Sequence, residues 1–284
     1  MQTQTHIQTN NIQLHVTQAG PEDGQLVILL HGFPEFWWGW RKQIDVLAEA
    51  GYRVWVPDQR GYNLSDKPDG LDAYTMDELT ADIVGLMDAA GADKAIVVGH
   101  DWGAAVAWWL GMKHDDRVEK LAILNVPHPM VMRRKLRSSF AQLRKSWYMF
   151  FFQLPWLPEA SIRARNWRMG VKAVQGTALP DAFSDADMEQ YRKAWSQPEA
   201  MTGMLNYYRA LMQRDSAWLD DTRLHMPTLI IWGKQDAFLN VEMAHESLDL
   251  CGTARIEVID DATHWVQHER ADRVNELLVA FFAE

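Results

Sequence analysis

The predicted fold rests on one segment, Val97-Val98-Gly99-His100-Asp101-Trp102-Gly103-Ala104-Ala105. The segment begins in an apolar run typical of a buried strand, and the residues after it are typical of a helix. A strand that enters a helix through Gly-x-nucleophile-x-Gly forms a nucleophile elbow, a strained turn that needs small residues where backbone approaches backbone. Gly99, Gly103 and Ala104 meet that need. The segment therefore predicts an α/β fold that presents Asp101 at the end of a strand.

Short apolar runs recur along the chain, each followed by a turn signal and most by a helical pattern. Runs that are apolar on both faces are typical of buried parallel strands. These runs are Leu26–Leu30, Tyr52–Val56, Ala95–Val98, Thr228–Trp232 and Arg255–Ile259. Between the second and the third, Thr75 and Glu78 have the spacing of a capping box that begins a helix. The alternation predicts a mostly parallel sheet with helices on both faces.

A helical insertion interrupts this alternation. From about Pro129 to Thr222 the strand pattern disappears, and the chain is rich in Arg, Trp, Phe and Met at helical spacing. Prolines divide this part into short pieces, because proline ends or kinks a helix. We therefore predict a core formed by residues 1–128 and 223–284, with residues 129–222 inserted as a helical cap or lid domain.

The composition excludes several classes of protein. A chain of 284 residues buries enough surface to fold without disulfides or metal ions. Its longest apolar runs fall far short of the roughly 20 residues that a membrane span requires. A net charge of −10 argues against nucleic acid as a partner. No secretory signal is visible in residues 1–6, and the lone Cys251 fits a reducing compartment. We expect a cytoplasmic monomer or homodimer that binds neither nucleic acid nor membranes.

One segment opposes the acidic balance of the chain. Between Val131 and Lys172 there are ten Lys and Arg residues against a single acid, Glu159. We interpret this basic segment as a solvated helical face of the lid.

Asp101 stands where an esterase or lipase would carry Ser, and this difference decides the predicted chemistry. A serine serves acyl transfer, whereas a carboxylate displaces a leaving group from a saturated carbon and becomes an alkyl ester. Water must then hydrolyse that ester, so the site also needs a base and a place for an oxyanion. The alternative is that Asp101 only caps the following helix.

The base and its partner are predicted later in the chain, because this turn belongs to folds that order the triad as nucleophile, acid and histidine. Asp236 and His264 each lie in a turn after a predicted strand. We expect His264 to take a proton from water and Asp236 to orient the imidazole. His264 and His268 share the spacing of a zinc helix, but Trp265 stands where that motif needs Glu, so we predict neither metal nor cofactor.

Two backbone N–H groups are expected to hold the oxyanion, since amides are rigid donors. One is the N–H of Trp102, directly after the nucleophile. The other is the N–H of Phe33, which follows the strand Leu26–Leu30 at the sheet edge where ligands collect. A simple Gly-Pro turn is the alternative for this segment. The remaining predicted pocket residues are His31, Pro34 and Trp265.

Together these residues resemble the α/β-hydrolase-fold epoxide hydrolases, and the resemblance extends over nearly the whole chain. The motifs that carry it are residues 31–35 (HGFPE), 58–68 (DQRGYNLSDKP) and 99–103 (GHDWG), with Asp236 and His264 in their turns. The sequence departs from the family at Asn63, where the loop commonly has Gly. Asn tolerates a positive φ better than most residues, so we expect the turn to be retained.

The resemblance implies that two lid tyrosines hydrogen-bond the epoxide oxygen and supply the acid. Tyr148 and Tyr208 stand in the matching contexts. Tyr208 shares a helical stripe with three apolar residues, so we expect it to face inward and Tyr207 to point about 100° away. The apolar members of the stripe are Met204, Leu211 and Met212.

The activity implied by the resemblance is conversion of a small apolar epoxide and water to a vicinal diol through a hydroxyalkyl ester of Asp101. Haloalkane and haloacid dehalogenases are the alternative, because they resemble the same motifs and use the same nucleophile. Trp102 stands where haloacetate enzymes usually carry Arg, which argues against that class. The Trp102 indole N–H could bind a halide, as in haloalkane dehalogenases, but Phe33 stands where those enzymes often carry Asn. A remote alternative is a ligand-binding protein without catalysis, against which the complete set of catalytic residues argues.

Overall fold

The structure, a computed structural model, describes residues 1–213 and 222–284. Within them, eight strands form one sheet in the order β1-β2-β4-β3-β5-β6-β7-β8. The strands are β1 (Thr3–Thr9), β2 (Ile12–Ala19), β3 (Leu26–Leu30), β4 (Arg53–Pro57), β5 (Ala95–His100), β6 (Val118–Leu124), β7 (Thr228–Gly233) and β8 (Ala254–Ile259). Strands β3 to β8 are parallel, and β2 pairs antiparallel with both β1 and β4. The predicted fold class is confirmed.

The antiparallel edge is a hairpin that the apolar runs did not identify. Asn10 and Asn11 connect β1 to β2 with φ angles of 30° and 61°. Asn is among the few residues that adopt positive φ readily, and a pair of them suits a two-residue hairpin turn. Because β1 is a largely exposed edge strand of polar residues, it lacks the apolar run by which buried strands are recognised.

Helices cover both faces of the sheet and form the segment between β6 and β7. The α-helices of the described residues are α1 (Ile44–Glu49), α2 (Met76–Ala89), α3 (Trp102–Lys113), α4 (Pro129–Ser138), α5 (Phe140–Lys145), α6 (Trp147–Phe151), α7 (Leu157–Gln175), α8 (Asp185–Trp195), α9 (Ala200–Gln213), α10 (Glu242–Leu248), α11 (Val266–Glu269) and α12 (Ala271–Ala283). Six of them, α4 to α9, fall within the predicted lid. Residues 214–221 of that predicted domain lie outside the described residues, and its boundaries stay a prediction.

The predicted capping box at the start of α2 is wrong in its hydrogen bonds. Thr75 occupies the N-cap position, but its side chain makes no capping bond. The Glu78 carboxylate instead accepts a hydrogen bond from Asn10 at 2.9 Å, which joins α2 to the β1–β2 turn. A capping box forms at α8, where Ser184 and Asp187 each bond the other's backbone N–H.

Strands β3, β5 and β7 are buried on both faces, which explains why the sequence pattern found them. Strand β6 is absent from the predicted runs, because Glu119 and Lys120 interrupt its apolar residues. All residues of β3, β5 and β7 are buried. Two apolar clusters lie on opposite sides of the sheet, one extending into the lid and one against α1 and α12. No helix in the described part of the chain is long and apolar enough to cross a membrane.

Candidate active site

Asp101 lies at a sharp turn between β5 and α3. Its backbone has φ 49° and ψ −120°, a conformation that costs a non-glycine residue about 1–3 kcal/mol. The turn is possible because its neighbours are small. A Cβ atom on Gly103 would lie 2.1 Å from the carbonyl oxygen of Leu30, and one on Gly99 would lie 2.4 Å from the carbonyl oxygen of Gly103. The close approach of these backbones directs the Asp101 carboxylate away from the sheet.

The two oxygens of the Asp101 carboxylate have different surroundings. The N–H of Phe33 donates to Oδ1 at 2.7 Å. A Cβ on Gly32 would lie 2.2 Å from the Cβ of Asp101, so only glycine lets the Phe33 amide approach. Trp102 is the first residue of α3, and an N–H at that position has no partner inside its helix. Oδ1 therefore accepts a hydrogen bond from one of the two predicted amide donors, and the contribution of the Trp102 N–H stays a prediction.

His264 faces the other oxygen. Its Nε2 lies 3.5 Å from Oδ2 of Asp101, and its Nδ1 lies 2.8 Å from Oδ2 of Asp236. The shorter distance is an ordinary charge-assisted hydrogen bond, whereas 3.5 Å is long for a direct bond. The structure thus brings together three residues that are separated by up to 163 positions in the sequence. The imidazole is oriented by Asp236, and its second nitrogen faces Asp101.

Asp236 is held by four hydrogen-bonding groups. The N–H groups of Phe238 and Leu239 donate to Oδ1 at 2.7 and 2.9 Å. The side-chain amide of Asn125 donates to Oδ2 at 2.8 Å, beside the bond to His264. Asn125 is a residue that the sequence analysis missed. Its position directly after β6, at the sheet edge that carries the site, is the signal that would have found it.

The paired charges change how the site titrates. Burial opposes the charged form of His264, but the carboxylates of Asp236 and Asp101 outweigh burial and raise its pKa to about 10. Burial would likewise raise the pKa of Asp101, but the facing His264 and the Phe33 N–H hold that pKa below its usual value. The two neighbouring carboxyl groups therefore favour the protonated, positively charged form of His264.

Two lid tyrosines lie over this charged group. The rings of Tyr148 and Tyr208 are 6.0 Å apart and nearly perpendicular. Tyr208 also contacts the rings of Phe33 at 5.4 Å and Trp102 at 5.0 Å, both of which carry predicted oxyanion donors. Burial, with the charge of Asp101, raises the pKa of both tyrosines. Both phenols therefore stay protonated and able to donate at neutral pH.

Comparisons with known proteins identify the family of this chain. Residues 25–271 match the alpha/beta hydrolase fold family. The AB hydrolase superfamily protein YfhM of Bacillus subtilis is 46% identical over 97% of this chain and 96% of its own length. Epoxide hydrolase 1 of Caenorhabditis elegans is 40% identical over 97% of this chain and 69% of its own length. The chain belongs to the α/β-hydrolase-fold epoxide hydrolases.

A solved structure from the same family has the same fold. The crystal structure of the Bacillus megaterium epoxide hydrolase in complex with an inhibitor superposes with a TM-score of 0.88 at 29% identity. The match covers 99% of this chain and all of that one. The described lid helices and the sheet therefore follow the arrangement of a known epoxide hydrolase.

Helix α9 differs in part from the predicted stripe. Tyr208 faces inward as expected, but Tyr207 is buried as well, and its hydroxyl donates to the carbonyl oxygen of Arg60 at 2.9 Å. Leu211 and Met212, predicted on the inward stripe, are exposed. The helix lies between the site and the loop of residues 58–68, so two of its faces are covered near Tyr207. Farther along, the described residues leave Leu211 and Met212 exposed.

The same loop also contacts α9 through its backbone. A Cβ on Gly203 would lie 2.6 Å from the carbonyl oxygen of Gly61, so the helix approaches the loop only because both residues lack side chains. Gly61 and Asn63 have φ angles of 85° and 40°. The Asn63 side chain also donates to Asp58 at 2.8 Å. The departure from the family's glycine at position 63 is therefore accommodated, as predicted.

This family member also contains a buried carboxylate to which the sequence analysis gave no role. Glu35 accepts hydrogen bonds from the Tyr191 hydroxyl at 2.6 Å and from Gln267 at 3.1 Å. It lies 2.7 Å from His268 Nε2 and 3.1 Å from His100 Nδ1. Burial would raise the pKa of Glu35, but the two histidines outweigh it and lower that pKa well below its usual value. The network joins α8 of the lid to the core.

The three predicted pocket residues have different surroundings. His31 is fully buried and bonds the backbone N–H of Gln59 at 3.1 Å. The carbonyl oxygen of Pro34 accepts from the Trp195 indole of α8 at 2.6 Å. The Trp265 ring lies 5.4 Å from that of His264. Trp265 thus lies beside the site, whereas His31 and Pro34 support the loop that carries Phe33.

Proposed function

We propose that this protein hydrolyses small apolar epoxides to vicinal diols, with Asp101 as the nucleophile and an ester of Asp101 as the intermediate. The observation that carries the proposal is the carboxylate at the elbow. One of its oxygens accepts the Phe33 amide at 2.7 Å, and the other faces His264 beneath two protonated lid tyrosines. Acyl transfer requires no carboxylate at the elbow, whereas attack on a saturated carbon with formation of an alkyl ester does require one.

In the first step, Tyr148 and Tyr208 hydrogen-bond the epoxide oxygen while Oδ2 of Asp101 attacks a ring carbon. The C–O bond of the ring breaks, and its electron pair forms an alkoxide that takes a proton from a tyrosine. A phenol aimed at a developing alkoxide stabilises charge mainly in the transition state. The product is a neutral hydroxyalkyl ester of Asp101.

Formation of the ester changes the base. The raised pKa of His264 depends on the carboxylates of Asp236 and Asp101, and esterification removes the second of these charges. The imidazolium then loses part of its stabilisation, and its proton restores the tyrosine. His264 becomes neutral at the stage at which a general base is needed.

In the second step, neutral His264 takes a proton from water, and the hydroxide attacks the carbonyl carbon of Asp101. The resulting oxyanion is Oδ1, which the amides of Phe33 and Trp102 hold. Collapse of the tetrahedral intermediate expels the diol oxygen, which takes the proton back from His264. Asp101 keeps one oxygen from water, and the proton on that oxygen passes to His264, which restores the starting state as a vicinal diol leaves.

A single turnover in heavy-oxygen water tests the proposal. With enzyme in excess over a styrene-oxide-like substrate, the label is expected in the peptide that contains Asp101 and not in the diol. Mass spectrometry of the digested protein and of the diol measures both. Label that enters only the diol would mean that water attacks the epoxide directly, which contradicts an Asp101 ester.

Paired turnover of epoxides and alkyl halides of equal size tests the leaving group. An epoxide leaves as an alkoxide and needs an acid, whereas a halide leaves as a stable anion. We expect epoxides to turn over faster. Faster halide turnover would favour a dehalogenase, and saturable binding without turnover of either would favour a ligand-binding protein.

A further inference from the structure

An aromatic stripe lies exposed on the lid. Along α5 and α6 the exposed residues follow helical spacing, with only Ser146 between the two helices. The stripe consists of Phe140, Leu143, Trp147 and Phe150. Phe140 is 81% exposed and Trp147 is 64% exposed. Large apolar side chains that are exposed together mark an interaction surface, whereas scattered ones are ordinary.

The opposite face of the same two helices is already occupied by the core. The buried side chain of Gln142 donates to the carbonyl oxygen of Phe238 at 2.9 Å, and Met149 is buried. The Tyr148 ring contacts that of Phe238 at 5.9 Å. The stripe therefore does not complete the core, because the side of the helices that packs on the core carries other residues.

The charge around the stripe is opposite to that of the rest of the protein. Residues 131–172 contain ten basic and one acidic side chain, for a formal charge of +9, whereas the remaining residues carry −19. The single acid, Glu159, is paired with Arg209 at 2.7 Å. Within the described residues no ion pair engages Arg137 or Arg144, which flank the stripe and are exposed. A partner of this surface must accept aromatic side chains and carry negative charge.

We propose that the aromatic stripe, with Arg137 and Arg144 beside it, docks on an anionic phospholipid bilayer. Exposed Trp, Phe and Leu enter the boundary between headgroups and acyl chains, and flanking arginines bind the anionic headgroups. A second copy of the chain fits less well, because a symmetric contact would bring two positive surfaces together. This proposal revises the expectation from the sequence that the protein binds no membrane, which rested on the shortness of its apolar runs. Surface docking needs no membrane span, so the lack of one among the described helices does not bear on it.

Vesicle sedimentation of the full chain tests this proposal. The protein is expected to sediment with phosphatidylcholine vesicles that contain phosphatidylserine, and not with phosphatidylcholine alone. Added salt is expected to release it, because screening weakens attraction between exposed charges. Two double variants are each expected to lower vesicle affinity on the order of tenfold. They are Phe140→Ser with Trp147→Ser, and Arg137→Gln with Arg144→Gln.

Matched control variants distinguish docking through the stripe from nonspecific adsorption to vesicles. Val46→Ser and Lys94→Gln change exposed residues of the core, and we expect unchanged vesicle binding. Thermal unfolding and hydrolysis of a water-soluble epoxide report whether each variant is folded. Absence of sedimentation with anionic vesicles at low salt would overturn the proposal. Binding of the stripe variants to these vesicles that equals binding of the unmodified protein would overturn it as well. Self-association that the stripe variants abolish, without vesicle binding, would assign the surface to a second copy and overturn it too.

Discussion

The core half and the lid half of the site hold their residues in different ways. In the core, Asp236 is fixed by Asn125, by two backbone N–H groups and by His264, all within 2.9 Å. In the lid, Tyr148 and Tyr208 are placed by ring contacts between 5.0 and 6.0 Å. Directional hydrogen bonds determine the orientation of a charged group, whereas ring packing mainly determines the shape of the space around it.

This difference separates two functions of the site. Charge that develops in a transition state is stabilised only by groups already held in place, which is what the core provides. A packed aromatic surface tolerates replacement by residues of similar volume. We therefore expect changes in the core to abolish the reaction and changes in the lid to alter which substrates react.

The largest effect is expected for Asp101→Ala. Removing the nucleophile removes both steps, so kcat should fall by roughly five orders of magnitude, as for the loss of nucleophiles in other hydrolases. Steady-state hydrolysis of an epoxide measures this fall in kcat. The melting temperature should fall modestly, because Ala keeps the Cβ atom and with it the strained turn, and the buried Phe33 N–H loses its acceptor. Activity within tenfold of the unmodified protein would disprove the role of the core carboxylate.

A smaller effect is expected for Tyr148→Phe with Tyr208→Phe. Loss of both donors to the alkoxide should lower kcat/KM for epoxides by about 100-fold to 1,000-fold, since each hydrogen bond at a developing charge contributes about 2 kcal/mol. Alkyl halides should lose far less, because a halide needs no acid.

Tyr52→Phe is the matched control, since Tyr52 contacts Phe282 on the core and is far from the lid in the fold. It should leave both activities unchanged. An equal loss for epoxides and halides in the lid variant would mean that the tyrosines only shape the pocket.

The pH dependence of stability examines the charged core pair. The pKa of His264 is raised to about 10 in the folded protein, against about 6.5 in the unfolded chain. The contribution of His264 to the free energy of unfolding is therefore complete below pH 6.5. The contribution decreases as pH rises and is lost at about pH 10, a change of a few kcal/mol. Thermal unfolding from pH 6 to pH 10 should therefore show a steeper fall for the unmodified protein than for His264→Gln. Equal slopes would mean that His264 is neutral in the folded state.

The smallest effect is expected for Gly203→Ala, which changes how the lid meets the core. Its new methyl group would lie 2.6 Å from the carbonyl oxygen of Gly61, so α9 must shift, at a cost of about 1–3 kcal/mol. The melting temperature should fall by about 2–4 °C for each kcal/mol. Gly252→Ala is the control, because its methyl group meets its nearest atom at 3.2 Å. A change in Tm no larger than that of the control would show that the lid contact is loose.

Features that depend on neighbours along the chain could be predicted from the amino-acid sequence. The alternation of apolar runs and helical patterns predicted the parallel sheet, because a strand buried on both faces must be apolar throughout. The elbow around Asp101 was predictable, since only small residues allow that turn. The turns that carry Asp236 and His264 followed from the strands before them. The exposed, polar edge strand β1 carries no such pattern and was not found.

Which distant residues meet depends on how the elements pack against one another. Asn125 bonds Asp236 and Glu35 joins two histidines to Tyr191, yet neither Asn125 nor Glu35 lies in a local pattern that predicts its partner. The burial of Tyr207 beside Tyr208 likewise depends on a loop more than 130 residues away in sequence. Helical periodicity states which residues share a face, but the elements packed against the helix decide how many faces are covered.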